Sequence, residues 1–130
     1  MNTYIDGFVF PIPSIYLEDY KKIAIQVAEI WKSYGALAYV EYVSDDMYLE
    51  GTKSFLETIA VKENESVVFG WVIFSSKKVR DIANQKVPND PRMEALVAPL
   101  VSTNKNIFDA SRMVYGGFKP LIISNHNPKE

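Results

Sequence analysis

From Leu17 to Tyr34 the residues Leu17, Tyr20, Ala24, Val27, Trp31 and Tyr34 recur at alternating intervals of three and four, one apolar stripe along a helix of about five turns. What constrains the fold is the pair of segments on either side of this stripe. Before it, Tyr4 to Ile12 is rich in aromatic and β-branched residues and ends in Pro11-Ile12-Pro13, which reads as a strand brought to a stop. After it, Gly35 supplies a left-handed residue to end the helix. Ala36 to Val43 then reads as a second strand, closed by the turn formers Ser44, Asp45 and Asp46. A one-faced helix joined so tightly to two strands must bury its stripe on the sheet those strands build.

The rest of the chain repeats this order. Ser14 stands where the N-cap of the first helix belongs, and Glu18 and Asp19 favour the positive end of its dipole. Residues 47–62 fit two templates: Phe55, Ile59 and Lys62 share a helical face, whereas Phe55, Glu57, Ile59 and Val61 share a strand face. Val67 to Phe74 is an apolar run of the kind found in a central strand. Ser75 and Ser76 offer caps for a second helix with Val79, Ile82 and Ala83 inward, ended by Pro88. Asp90-Pro91 opens a short third helix, and Pro99 to Ser111 reads as a loop with few apolar anchors. Met113 to Ile123 reads as a last strand in which Gly116-Gly117 marks a bulge or a close backbone approach.

This order predicts an α+β domain over residues 1–123 with a polar tail over 124–130. Its layout is the ferredoxin-like split βαβ: a four-stranded antiparallel sheet, strand order 4-1-3-2, with helices on one face. The other face then carries tyrosine, phenylalanine, tryptophan and methionine into water, which predicts a homodimer in which two sheets face each other around a shared interior.

Composition removes whole classes of chemistry. The 130 residues include no cysteine, so disulfides, thiolate metal sites and cysteine nucleophiles are excluded. Fourteen basic against sixteen acidic residues leave a net charge of −2, a poor match for a nucleic-acid phosphate backbone. Met1 to Gly7 shows no secretory signal, and no run approaches the ~20 apolar residues of a membrane span, so the expectation is a cytoplasmic protein without membrane or nucleic-acid partners. The one histidine, His126, lies in the polar tail, which argues against histidine-bound metal or haem and against a serine–histidine–acid triad. No cofactor and no metal are expected. Asp45, Asp46 and Glu50 have only turn-like spacing to suggest magnesium.

Several blocks in register resemble a known bacterial family. They are Tyr4-Ile-Asp-Gly-Phe-Val-Phe-Pro-Ile-Pro13, Gly35-Ala-Leu37, Lys62-Glu-Asn-Glu-Ser-Val-Val-Phe-Gly-Trp71, Val79-Arg-Asp-Ile-Ala-Asn-Gln-Lys-Val87, Asp90-Pro-Arg-Met93 and Arg112-Met-Val-Tyr-Gly-Gly-Phe118. Together they look like the YbaA-like family from about Tyr4 to Phe118. That resemblance implies the dimeric α+β barrel superfamily, and with it a homodimer, but no particular reaction. The chain departs from the family pattern at Met47–Lys53, at Tyr42 and at Ala110-Ser111.

Six residues are candidates for ligand contact. Glu41 alternates onto a strand face with Leu37, Tyr39 and Val43, so a carboxylate points where its neighbours are apolar and must be paired, neutralised or solvated. It also matches a glutamate of the family pattern. Asp6 poses the same question beside Tyr4, Phe8 and Phe10, although the first and second strands are not neighbours and direct contact of Asp6 with Glu41 inside one chain is not expected. Arg112 is the preferred counter-charge for Glu41 or for a ligand, whereas Arg80 and Arg92 sit on exposed helical segments. Trp71, Tyr39 and Tyr115 suit the walls of an aromatic pocket.

The leading functional expectation is a binding module that takes a small apolar or aromatic ligand in the interior between two sheets, oriented by Glu41 and Arg112. A cofactor-independent monooxygenase or isomerase with Glu41 or a tyrosine as base is the second. A structural or protein-interaction dimer with a filled interior is the third.

Overall fold

In the computed structural model, which describes residues 2–102 and 104–126, the chain forms four strands and four helices. In order these are β1 (Tyr4–Pro13), α1 (Leu17–Ser33), β2 (Ala36–Val43), α2 (Phe55–Thr58), β3 (Glu65–Phe74), α3 (Lys77–Lys86), α4 (Pro91–Val97) and β4 (Val114–Phe118). The strands make one antiparallel sheet in the order β2-β3-β1-β4, which is the expected 4-1-3-2 order read from the other edge. This is the α+β, ferredoxin-like layout. Among the described residues no helix is long and apolar enough to cross a membrane. Residues 127–130 of the expected tail lie outside the described residues.

Local differences from expectation have local causes. β1 does not stop at Pro11: both prolines stay in the ladder, opposite Val67 and Glu65. Ser14 N–H donates to the Asn64 carbonyl beyond the end of β3, so alternation aims the nitrogens of Pro11 and Pro13 at the opposite edge, where β4 ends its pairing at Val9–Val114. Ser14 does not cap α1 either. It opens a 3-10 turn, pairs through Oγ with Ser66 Oγ at 2.8 Å, and leaves α1 to start at Leu17 without a side-chain cap. Ser76 and Asp90 do cap α3 and α4, accepting from Val79 N–H and Arg92 N–H. Gly35 closes α1 at φ +110°.

Residues 47–62 are neither alternative in full, because only the single turn α2 is helical, capped by Ser54. β4 ends at Phe118 rather than Ile123, just before Lys119-Pro120. No bulge interrupts β4 at the glycine pair. Gly117 instead lets the Tyr4 phenol approach to 2.6 Å of where a Cβ would stand. Ile82 faces solvent while Ala83 is fully buried, and Leu100 and Ile107, both buried, anchor the loop after α4.

The two faces of the sheet meet different partners. Phe10, Ile12 and Val68 pack with Tyr20 of α1 and with Leu100 and Ile107. Val72 and Phe74 on the same face pack with Ala36, with Ala83 of α3 and with Trp31 of α1. Phe8 touches both clusters. On the reverse face Val9 and Val67 are covered by Met47, Leu56, Ile59 and Val61 from the irregular segment. That cover is partial: Tyr42, Phe69, Val114 and Phe118 remain exposed, with Trp71 stacked on Tyr42 at 5.7 Å.

Gly70 is the tightest point of the sheet. A Cβ there would stand 2.5 Å from the Val40 carbonyl oxygen and 2.8 Å from the Phe8 ring that lies over it. Gly70→Ala is therefore expected to lower stability by about 1–3 kcal/mol in urea unfolding, as overpacking against backbone does.

Candidate functional site

A cavity of about 260 Å³ lies between the helix-facing side of the sheet and α1, α3 and α4. Members of both buried clusters line it, Phe10 and Tyr20 from one and Val72 from the other, with Phe8 between them. Ala24 contributes to the wall from α1, where its one-carbon side chain leaves space that a longer residue would fill. The site thus sits inside one chain, on the side of the sheet away from the exposed aromatic face.

Strand register decides which candidate residues meet there. Across the sheet, Glu41 of β2 stands opposite Gly70 of β3, Gly70 opposite Phe8 of β1, and Phe8 opposite Tyr115 of β4. One row therefore places Glu41 and Tyr115 at opposite ends of the cavity floor, with Asp6 and Tyr39 in the neighbouring row. All four line the cavity. Leu37 does not share their face. A register shift between Ala36 and Ala38 turns Ala36 into the core and leaves Leu37 exposed.

Glu41 is held by two phenols. Tyr20 donates its hydroxyl to Oε1 at 2.7 Å and lies 2.8 Å from Oε2, while Tyr39 donates to Oε2 at 2.8 Å. Burial pushes the Glu41 carboxyl up, and the two hydroxyls only partly hold it down. The phenols are raised well above their ordinary value, first by burial and then by the adjacent carboxylate, so they act as donors and not as phenolates.

Asp6 belongs to a separate network. Its side chain is only 5% exposed, accepts from Tyr115 OH at 2.7 Å through Oδ1, and has the Arg80 guanidinium 3.4 Å away on the same oxygen. Arg80 donates further to Tyr115 OH and Tyr4 OH, each at 3.0 Å, and lies over the Tyr4 ring. Its Nε is buried without a hydrogen bond, since Asp81 Oδ1, though 3.0 Å away, is out of line. Asp6 and Glu41 do not touch, as the strand order led one to expect.

Two candidates fall elsewhere. Arg112 is not the counter-charge of Glu41: it grips Glu65 bidentately at 2.6 and 2.9 Å and donates to the Ala60 carbonyl. Trp71 alternates onto the reverse face, between Tyr42 and Phe69. Two residues outside the candidate set also reach the acids: Tyr20 of the helix stripe, and Arg80, whose side chain is only 14% exposed. A hydroxyl on the helix stripe was the available signal for Tyr20. Arg80 had none, because only the fold brings α3 over Asp6. Asp45, Asp46 and Glu50 do not converge, and among the described residues no three histidine or acidic side chains could hold a metal. His126 is exposed.

A family model described as protein of unknown function (DUF1428) matches residues 3–109. The uncharacterised protein YbaA of Escherichia coli, and its counterpart in Shigella flexneri, are 39% identical over 119 residues, covering 92% of this chain and 97% of theirs. Among solved structures, a variant of SnoaB from Streptomyces nogalater, described as a cofactor-independent oxygenase, aligns with a TM-score of 0.56 at 10% identity over 95% of this chain and 97% of that one. A NIPSNAP family protein of unknown function from Agrobacterium tumefaciens aligns at 0.55 with 18% identity, over 94% and 91%. At these identities the likeness is one of fold and nothing narrower.

Two outcomes separate the acids. Arg112→Met strips the partner from Glu65, whose carboxyl the arginine holds below the usual range, and is expected to cost about 1–3 kcal/mol in chemical unfolding without altering the cavity. Glu41, by contrast, binds its proton more tightly folded than unfolded, so its contribution turns against folding as pH rises from the ordinary carboxylate range through its raised value. Glu41→Gln should therefore gain stability relative to the parent as pH climbs, measured as melting temperature across that range.

Proposed function

This chain belongs to the DUF1428 family of proteins of unknown function, and we propose that it is a cytoplasmic homodimer that binds a small aromatic or apolar ligand in the cavity between its own sheet and helices. One observation carries the reading. An open, largely apolar and aromatic space contains a single unpaired carboxylate, Glu41, fixed in place by Tyr20 and Tyr39. Preformed apolar pockets with a few convergent polar groups are the usual form of small-molecule sites, and a carboxyl pushed up by burial is more common at such sites than elsewhere. In this reading the ligand lies within one chain, on the helix side of its sheet, and not between two sheets.

Dimerisation uses the other face. Tyr42 at 63% exposure, Phe118 at 57% and Val114 at 52% lie with Phe69 on a sheet surface that the segment around α2 covers only in part. A twofold pairing of this surface with itself would remove it from water. Arg112 and Trp71 contribute to this side of the sheet and not to ligand contact.

A second reading, catalysis without a cofactor, is favoured by Glu41. A buried carboxyl whose proton affinity is raised is suited to act as a general base toward a weakly acidic ligand, and SnoaB, which shares the fold, is described as a cofactor-independent oxygenase.

Native mass spectrometry of the protein from its own source is expected to give a dimer carrying a reproducible small-molecule mass. Ala24→Phe, which fills the cavity from α1, should abolish that mass and keep the dimer, at a stability cost of about 1–3 kcal/mol. Tyr42→Asp with Phe118→Asp should weaken the dimer by about 2 kcal/mol or more in sedimentation while the extra mass persists. A bare monomer at micromolar concentration would overturn the reading.

A further inference from the structure

We propose that the ligand of this cavity is a small aromatic amine, held as its ammonium ion against Glu41. The inference rests on the reading that the cavity is a binding site and goes beyond it by assigning the ligand's charge. Asp6 and Glu41 are the charged residues of the cavity wall, and no lysine, arginine or histidine among the described residues lines it. Asp6 is already neutralised from behind by Arg80, which itself stays out of the cavity. Glu41 is therefore the one carboxyl of the wall whose charge, when ionised, is left for a ligand to meet.

Hydrogen-bond arithmetic points the same way. An ionised carboxylate offers about four acceptor positions. Tyr20 and Tyr39 bring one O–H proton each, and the contact of Tyr20 with both oxygens is a single shared proton. About half of the acceptor capacity of Glu41 is thus unfilled, in a place where burial makes unfilled capacity costly. An ammonium, with three N–H donors and a positive charge, supplies what is missing. A carboxylate ligand would bring neither, and would add like charge.

The walls suit a cation with an aromatic body. Phe8 and Phe10 stack at 6.0 Å, Tyr39 lies 6.2 Å from Phe8, and Tyr20 lies edge-on 5.7 Å from Phe10, so four rings surround the approach to Glu41. Their faces attract a positive charge, and their edges and faces pack an aromatic ring. A second cavity of about 410 Å³ between α1 and β2 shares Tyr20, Ala24, Tyr39 and Glu41 with the first, and its own charged residues, Glu18 and Lys21, are opposite in sign.

The test compares 2-phenylethylamine, 2-phenylethanol and phenylacetate, which present a cation, a neutral hydroxyl and an anion on one ring. Each is titrated calorimetrically into the full chain and into Glu41→Gln at about pH 7.5, where the amine is charged. The amine is expected to bind at least about tenfold tighter than the alcohol and phenylacetate weakest. In Glu41→Gln, checked for an unchanged circular dichroism spectrum, the amine should lose about tenfold or more and the alcohol less, so that the difference between them closes. Equal binding of amine and alcohol to the parent chain, or tighter binding of phenylacetate, overturns the amine assignment and leaves the cavity a binding site. Binding of none of the three to either protein overturns both.

Discussion

Ten consecutive residue pairs, Tyr4 with Phe74 through Pro13 with Glu65, hold β1 against β3 without a slip, and side chains that alternate along both strands are sorted by that ladder onto two faces. The helix face receives Asp6, Phe8, Phe10 and Ile12 with Val68, Gly70, Val72 and Phe74. The reverse face receives Val9 and Val67 with Phe69 and Trp71. A displacement by one residue would turn one strand over against the other, placing either Trp71 in the cavity or Asp6 among the exposed aromatics.

Asp6, which is buried, and Glu41 and Glu65, which are partly so, show three ways of meeting the cost of removing a carboxylate from water. Glu65 takes a bidentate arginine, the strongest geometry open to it. Asp6 takes a phenol and a guanidinium on one oxygen, and that guanidinium is itself braced by Tyr4 and Tyr115. Glu41 takes two phenols and no cation. The first two have their charge met by an arginine and read as structure, although Arg80 Nε is left without a hydrogen bond. The third is left with charge and acceptor capacity to spare, which separates a site open to a ligand from a structural ion pair.

The cavity exists because the core is split. α1 reaches across the sheet, but its stripe carries Ala24 between the larger residues Tyr20, Val27 and Trp31, and the cluster around Phe10 does not merge with the cluster around Phe74. Phe8 bridges them over Gly70, where the sheet has no side chain to raise the floor.

The local signals were readable in the chain. Periodicity defined α1 and β2, a serine and an aspartate marked the starts of α3 and α4, and alternation placed Glu41 with Tyr39 and Asp6 with Phe8. These succeed because period, cap chemistry and alternation depend on neighbours a few residues away. The chain alone also determined what it could not do, since thiol chemistry requires cysteines it lacks. What only the tertiary structure decided was pairing at a distance. Whether Arg80 or Arg112 would meet an acid of the cavity, whether Tyr20 would pack or donate, and whether Trp71 would face the helices or the solvent each depended on strand order, on the register shift beside Leu37 and on the path of the irregular segment around α2. Arg112 and Arg80 are alike as residues, and it is the geometry of the folded sheet, acting over many intervening positions, that gives one to Glu65 and the other to Asp6 and leaves Glu41 without a cation.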